Sequence, residues 1–215
     1  LMFYEGDDIT RAQNVWRRWM MEYNVPPPGG KILPPQWNAT SSVQFAEMMM
    51  ANEDNQKKFI DRYLEEGIKI DYWWMDFGWY YYQPPDIRYE ADVRRFPHGL
   101  RAITNHGRAK GVKSIVWFEP ENVNAESKIY KEHPEWILDA KLGVMLVNLG
   151  NPQAWQWMVE MVDGQLVKEG IDLYRQDFNM EPLEIWRQAD PADRQGITEN
   201  KYISGYLAFW DELRR

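Results

Sequence analysis

Residues 171–179 read IDLYRQDFN and follow directly on a glycine. The apolar start of this segment predicts a β-strand that ends at Asp177. Side chains two positions apart point to the same face of a strand, so Arg175, Asp177 and Asn179 should project together. One acid between a cation and an amide is suited to holding and attacking a polar substrate. A strand-end salt bridge beside a turn residue is the structural alternative, and this segment by itself slightly favours that alternative.

The same helix-to-strand junction occurs three times along the chain. In each copy a charged residue and a glycine lead directly into an apolar residue: Glu66-Gly67-Ile68, Lys110-Gly111-Val112 and Glu169-Gly170-Ile171. Hydrophobic periodicity predicts helices over residues 53–66, 98–110, 153–168 and 197–214. Strands are predicted over residues 68–76, 112–118 and 171–177. Strands that alternate with helices indicate an α/β fold with a parallel sheet.

Each of these three predicted strands ends on a carboxylate, namely Asp76, Glu119 or Asp177. The carboxyl ends of parallel strands emerge at the same edge, and in barrels that edge carries the active site. The loops that follow the acids are long and rich in aromatic and polar residues, whereas the opposite junctions are tight. The pattern therefore favours a functional site over three separate structural ion pairs.

Bulk composition argues against several classes of function. The chain has 215 residues, a net charge of −8 and no block of Lys or Arg, which disfavours a nucleic-acid partner. It has no cysteine, no apolar run long enough for a membrane helix and no glycine-rich phosphate loop. The three histidines fall outside the strand ends, so no metal and no other cofactor is predicted. Twelve Trp and twelve Tyr residues suit carbohydrate binding, although a large aromatic core accounts for them equally well.

Glycoside cleavage fits the converging acids best, because it needs two carboxyl groups around the scissile bond and polar and aromatic groups around the sugar. Arg175 should lower the pKa of Asp177 and keep that carboxylate ionised. An ionised, well-held carboxylate is better suited to a nucleophile than to a general acid.

The chain resembles the family 36 glycoside hydrolases of the bacterial α-galactosidase, or melibiase, type along essentially its whole length. The matching segments are FYEGDD (3–8), WRRW (16–19), IDYWWMD (70–76), WFEPE (117–121), HPEW (133–136), LVNLG (146–150) and DLYRQDFN (172–179). The resemblance implies a (β/α)8 TIM barrel, of which this chain is the N-terminal portion, about the first half. It also implies a retaining exo-α-galactosidase that acts on terminal α-galactosides through a covalent glycosyl-enzyme.

The resemblance assigns Asp177 the role of nucleophile. The substrate-binding residues that it implies are Asp76, Trp117, Arg175, Asn179 and Glu119. Glu119 is the least direct of these, since a buried acid at this edge is expected to hold neighbouring side chains. The implied partner is a small-molecule carbohydrate, and neither a nucleic acid nor a membrane is expected as a partner. Whether the parent protein forms a homo-oligomer is left open. The compartment is undetermined, with a cytoplasmic location slightly favoured.

Departures from the family pattern leave the substrate open. Phe77 stands where many members have a second acid, and Arg175-Gln176 stands where many have Lys-Trp. These changes alter contacts to sugar hydroxyls, so an α-N-acetylgalactosaminidase of the same family is an alternative. A noncatalytic carbohydrate-binding relative of the barrel is a second alternative.

The acid/base aspartate of the family follows a Ser-Cys-x-x-Gly-Gly motif that this sequence lacks. We therefore expect residues 1–30 to be a connecting helix and Pro-rich linker from a missing upstream domain. Residues 31–215 are expected to be the N-terminal part of the catalytic barrel. A half barrel exposes unpaired strand edges and apolar faces, so the isolated chain should aggregate or stay partly unfolded and show negligible turnover.

Overall fold

The computed structural model describes residues 6–24, 36–41, 50–83, 86–141 and 143–215. The chain divides into two compact units, Leu1–Gln36 and Trp37–Arg215. The predicted proline-rich linker and the predicted domain boundary at residue 30 lie outside the described residues.

Helix α1 (Ile9–Trp19) forms the described part of the first unit. It begins after Asp8, whose carboxylate accepts a hydrogen bond from the Arg11 backbone N–H at 3.1 Å and so satisfies a donor of the first turn. A π-helical segment, Met20–Asn24, continues the helix. A helix is therefore present within residues 1–30, where the sequence predicted one.

The second unit contains short strands separated by helices. Its strands are β1 (Asn38–Ala39), β2 (Tyr72–Met75), β3 (Tyr80–Gln83), β4 (Asp86–Ala91), β5 (Lys113–Phe118), β6 (Asn122–Val123), β7 (Ile137–Asp139), β8 (Met145–Val147) and β9 (Leu173–Gln176). Its helices are α2 (Glu53–Glu65), α3 (Arg101–Arg108), α4 (Lys128–Glu132), α5 (Pro152–Glu169), α6 (Leu183–Ala189) and α7 (Ile197–Leu213). In the part of the chain that is described, no helix combines the length and apolar character needed to cross a membrane.

Strands β1, β2, β5 and β9 form a parallel sheet in that order. The register places Trp74 beside Ile115 and Trp117 beside Arg175. The predicted α/β fold with a parallel sheet is therefore confirmed. Two smaller antiparallel sheets accompany it, a β3–β4 hairpin and a three-stranded sheet in the order β6, β8, β7.

One face of the parallel sheet packs against α2. On one face Trp73, Met75, Val116 and Phe118 are almost fully buried in the apolar cluster that also contains Ile60 of α2. The Trp73 indole N–H donates to Gln56 Oε1 of α2 at 3.1 Å, which fixes this helix against β2. The alternating residues point to the opposite face, and these are the side chains that extend toward the acidic edge.

The three repeated junctions are confirmed as helix ends. Gly170 ends α5 with φ 64°, and its N–H donates to the Leu166 carbonyl. Gly67 and Gly111 also have positive φ, 71° and 78°, where a side chain would be strained. The glycine thus lets the chain leave each helix and enter the next strand within a few residues.

Two predicted loops contain regular structure. The loop predicted after Asp76 contains the β3–β4 hairpin, and the loop predicted after Asp177 contains α6. The observed strands also begin later than predicted, since β2 starts at Tyr72 and β9 at Leu173. At the start of β9 the Asp172 backbone N–H donates to Ser114 Oγ, so a side chain takes the place of a ladder bond.

Candidate active site

The carboxylates predicted to end the strands lie at one edge of the parallel sheet. Asp76 follows β2, Glu119 follows β5 and Asp177 follows β9. Beyond the last residue of β9, the Asp177 backbone N–H still donates to the Phe118 carbonyl at 2.8 Å. Strand geometry therefore persists to Asp177, which is the condition for Arg175 and Asp177 to project to one face.

Asp177 accepts hydrogen bonds at both carboxylate oxygens. Oδ2 accepts from Trp117 Nε1 at 2.9 Å, and Oδ1 accepts from the Phe178 backbone N–H at 3.0 Å. The Trp117 bond is the largest cause of a pKa of Asp177 below its ordinary value, while partial burial acts against it and the Arg175 charge adds less. The predicted direction of the pKa shift and the contribution of Arg175 are confirmed, and the hydrogen bond from Trp117 is the larger cause, which the sequence did not predict.

Arg175 lies between two carboxylates. Its Nη1 is 3.7 Å from Asp177 Oδ2 and 3.9 Å from Asp76 Oδ1, so both contacts are ion pairs at long distance. The guanidinium stacks on the Trp74 ring with 4.7 Å from Cζ to the ring centroid. Asp76 accepts a bond from the Phe77 backbone N–H at 2.7 Å. The structure thus brings Asp76, Arg175 and Asp177 together, as the strand ends predicted.

Trp117 is held on several sides by aromatic residues. Its side chain is buried, stacks nearly parallel to Tyr80 at 6.3 Å and meets Phe77 edge-on at 5.4 Å. The Trp79 indole N–H donates to the Trp117 carbonyl at 2.8 Å. The contacts with Tyr80 and Phe77 fix the direction in which the Trp117 ring N–H points at Asp177, so Trp117 positions that acid. The apolar ring of Phe77 stands directly after Asp76 at this edge.

Glu119 supports the loop that follows Asp177. Its Oε1 accepts a hydrogen bond from the Asn179 backbone N–H at 2.9 Å, and its own backbone N–H donates to the Tyr89 hydroxyl at 2.9 Å. Glu119 is only partly buried. The expectation that it is a buried acid is therefore wrong, and its observed contact is with backbone.

Glu121 is the buried acid of this segment, and the sequence pattern did not single it out. Its side chain is 2% exposed and accepts hydrogen bonds from the Tyr202 hydroxyl and the Gln176 amide. Burial raises the pKa of Glu121, and the two donors act against that shift. The Glu-Pro-Glu spacing is a weak signal for it, because the burial depends on α7, which is distant in sequence.

The histidines lie away from the acidic edge. His98 pairs with Glu53 at 3.1 Å, His106 pairs with Asp61 at 2.7 Å, and His133 stacks on Trp136. Among the described residues, no group of three or more His, Asp or Glu side chains is arranged to hold a metal ion.

Comparison with known proteins gives a consistent result. The family described as Melibiase matches residues 14–215. The chain is 27% identical over 173 residues to "Alpha-galactosidase Mel36A" of Lactobacillus acidophilus, a match that covers 75% of this chain and 23% of that protein. It is 22% identical over 207 residues to "Alpha-galactosidase" of Escherichia coli, covering 89% of this chain and 28% of that protein. The chain thus spans about a quarter of the length of the curated relatives it matches.

Solved structures share the fold. The family 36 α-galactosidase AgaA from Geobacillus stearothermophilus aligns with a TM-score of 0.70 at 22% identity, over 83% of this chain and 26% of that one. The α-galactosidase from Lactobacillus brevis aligns with a TM-score of 0.71 at 20% identity, over 84% of this chain and 25% of that one. Since the family match extends over nearly all of the sequence, this chain belongs to the melibiase family.

Proposed function

We propose that the protein containing this chain is an α-galactosidase that hydrolyses terminal α-galactosides, with Asp177 as the nucleophile. The observation that supports this proposal most strongly is the Asp177 carboxylate, which accepts hydrogen bonds from two neighbouring donors and has a lowered pKa. Support also comes from relatives named as α-galactosidases and from a solved variant of AgaA in complex with raffinose. We further propose that β1, β2, β5 and β9 are the first four strands of a (β/α)8 barrel.

In the proposed reaction, an Asp177 oxygen attacks the anomeric carbon and forms a covalent glycosyl-enzyme while the glycosidic C–O bond breaks. A general acid gives its proton to the leaving oxygen. Water then attacks the anomeric carbon, releases the Asp177 carboxylate and returns a proton to the acid, so that the anomeric configuration is retained. Trp117 and Asn179 keep Asp177 ionised and oriented before attack.

The general acid is assigned to a residue outside those described here. Asp76 lies beside Arg175, and Glu119 accepts a hydrogen bond from the Asn179 backbone N–H, so each of these carboxylates is already engaged with a group of this chain. The remaining roles follow from position: Asp76, Arg175 and Asn179 bind sugar hydroxyls, and Glu119 holds the loop that carries Asn179.

An α-N-acetylgalactosaminide is the second candidate substrate. Phe77 is the observation that favours it, because an apolar ring at the acidic edge removes a polar contact that many family members have. The third candidate, a noncatalytic carbohydrate-binding barrel, needs no ionised and oriented Asp177.

A side-by-side assay of the full-length protein on p-nitrophenyl α-galactoside and its N-acetyl analogue separates these candidates. The α-galactoside is expected to be the better substrate by kcat/KM. Asp177→Gly should abolish its turnover, and added azide should restore cleavage and yield β-galactosyl azide, because a small nucleophile can occupy the vacated space. Retained activity in Asp177→Gly without azide would remove Asp177 from the nucleophile role.

A further inference from the structure

Two polar atoms at the acidic edge are buried and have no hydrogen-bond partner among the described residues. They are Nε1 of Trp74 and Nη1 of Arg175. Buried N–H groups in folded proteins are nearly always paired, so an unpaired one indicates either a cost in stability or a partner that arrives with a ligand. Because these two unpaired donors belong to side chains that contact each other, a partner that arrives with a ligand is the better explanation.

The strand pattern places Trp74 and Arg175 on the face of the sheet that also carries Asp76 and Asp177. Trp74 is two residues before Asp76 on β2, and its side chain therefore points to the same face. The Arg175 guanidinium lies over the Trp74 ring at 4.7 Å. Nη1 of Arg175 is also within 4 Å of Asp76 and Asp177 but makes no hydrogen bond with either. Two residues that contact each other, Trp74 and Arg175, thus each keep an unpaired donor, and the guanidinium lies within 4 Å of two carboxylates.

We propose that Trp74 is a specificity-determining residue whose indole N–H binds a ring hydroxyl of the sugar, next to a hydroxyl bound by Arg175. This inference rests on the proposed function, because it takes the ligand to be the glycoside. Trp74 also holds the guanidinium plane in place through the stacking contact. Neither role is evident from the sequence, where Trp74 reads as one more apolar strand residue.

The charges around this space favour a neutral ligand. A hydroxyl oxygen accepts a bond from an N–H donor, while its own proton can be donated to Asp76 or Asp177. A carboxylate or phosphate would meet these two acids at close range and would be repelled. The site therefore fits a neutral sugar ring and disfavours a uronic acid or a sugar phosphate.

The chain offers a matched control. Nε1 of Trp186 is also buried without a hydrogen-bond partner, but Trp186 lies in a separate apolar cluster and packs on Tyr202 at 5.2 Å. Trp186→Phe and Trp74→Phe therefore make the same chemical change, the loss of an unpaired indole N–H. Only Trp74 stands beside charged groups that could bind a sugar.

The test measures the dissociation constant of galactose for the full-length protein and both variants by titration calorimetry. Trp74→Phe should raise the dissociation constant about 10-fold, whereas Trp186→Phe should leave it unchanged. Equal affinities in the two variants would overturn the inference. Galacturonic acid should bind the wild-type protein more weakly than galactose, and tighter binding would overturn the neutral-ligand part.

Monodeoxy galactoses identify the hydroxyl and guard against a variant that fails to fold. In the wild-type protein, removal of at least one ring hydroxyl should weaken binding about 10-fold. That penalty should disappear in Trp74→Phe for one position only. If every monodeoxy sugar binds the wild-type protein as well as galactose does, the inference is wrong whatever the variants do.

Hydrolysis of p-nitrophenyl α-galactoside by the wild-type protein tests the proposed function separately. Galactose binding that depends on Trp74, without hydrolysis, would reject the enzyme and support the inference. Hydrolysis together with Trp74→Phe behaving like Trp186→Phe would support the enzyme and reject the inference.

Discussion

Strands β2 and β9 each have an aspartate just before them and another just after them, and the two ends of the sheet treat these carboxylates differently. Asp71 and Asp172 precede the strands, whereas Asp76 and Asp177 follow them. The four residues have the same chemistry and nearly the same spacing from their strand. What differs is how closely each carboxylate is engaged by the cation beside it.

At the leading end, the carboxylates join neighbouring strands. Asp172 accepts bonds from the Ser114 backbone N–H at 2.9 Å, from the Ser114 hydroxyl at 3.1 Å and from Arg108 at 3.0 Å. Asp71 accepts from the Trp37 backbone N–H at 2.9 Å and pairs with Lys69 at 3.3 Å. Each acid is thus committed to the sheet, where it fixes one strand against the next.

At the trailing end, both carboxylates accept hydrogen bonds from the backbone that directly follows them. Asp76 and Asp177 each accept from the backbone N–H of the next residue, and Asp177 also accepts from Trp117. The cation between them, Arg175, stays beyond hydrogen-bond distance and keeps a buried nitrogen unpaired. An aspartate next to a buried, unpaired donor marks a site for a ligand, whereas an aspartate bonded to its cation and to the neighbouring strand marks a structural joint.

The largest expected difference between the two ends concerns turnover. Asp177→Asn removes the charge of the proposed nucleophile at nearly constant shape, so kcat on p-nitrophenyl α-galactoside should fall on the order of 10⁴-fold or more. Asp172→Asn makes the same change at the other end of β9 and should leave kcat unchanged in the folded protein. Steady-state kinetics of the full-length variants measures both. Similar losses in the two variants would show that the comparison carries no information about catalysis.

A smaller effect on binding is expected at β2. Asp76→Asn removes an acceptor for sugar hydroxyls, so kcat/KM should fall roughly 10- to 100-fold while the thermal midpoint changes little. Asp71→Asn is the matched control on the same strand. It should lower the thermal midpoint and leave kcat/KM intact. Loss of activity with Asp71→Asn but not with Asp76→Asn would reverse the assignment of the two ends.

The reverse pattern is expected for stability. Asp172→Ala leaves the Ser114 backbone N–H without an acceptor, and Ser114 is buried. The free energy of unfolding should therefore fall by about 1–3 kcal/mol, measured by urea denaturation. Asp163→Ala, which removes an exposed acid of α5, is the control and should be close to neutral. If the Asp172 and Asp163 variants were equally stable, Asp172 would not be a structural joint.

The sequence predicted the parts of this comparison that depend on local periodicity. Side chains alternate between the two faces of a strand, and this alternation along residues 171–179 is enough to place Arg175 beside Asp177. Gly170, with its φ of 64°, explains why the strand can start so soon after a helix. The parallel order of the strands follows from their alternation with helices.

Features that depend on distant partners could not be predicted in this way. Glu121 is buried because Tyr202 of α7 covers it, and the two residues are far apart in sequence. Trp74 differs from the buried Trp73 only by the face on which it lies, and its unpaired N–H is visible only once Arg175 is in place. The lowered pKa of Asp177 was assigned to the nearest charge because nothing local reveals that the Trp117 indole points at it.

The smallest expected effect is a change in pH dependence. The hydrogen bond from Trp117 is the largest cause of the lowered pKa of Asp177, and the ionised form of Asp177 is the nucleophile. In the wild-type protein, the ionised form therefore persists below the ordinary aspartate pKa and is lost only as the pH falls through the lowered value. Trp117→Phe removes that bond and raises the pKa, so the acid limb of kcat/KM should move to higher pH.

Trp79→Phe is the control for this shift. The Trp79 side chain is also buried in the same aromatic cluster, but its N–H donates to the Trp117 carbonyl and not to a carboxylate. Its loss should lower the thermal midpoint and leave the acid limb in place, because the bond from Trp117 to Asp177 is retained. An acid limb that moves equally in both variants would mean that general loosening of the cluster sets the pH dependence. A limb that moves only in Trp117→Phe would show that a neutral donor, more than the nearby guanidinium, keeps Asp177 ionised at the trailing end of β9.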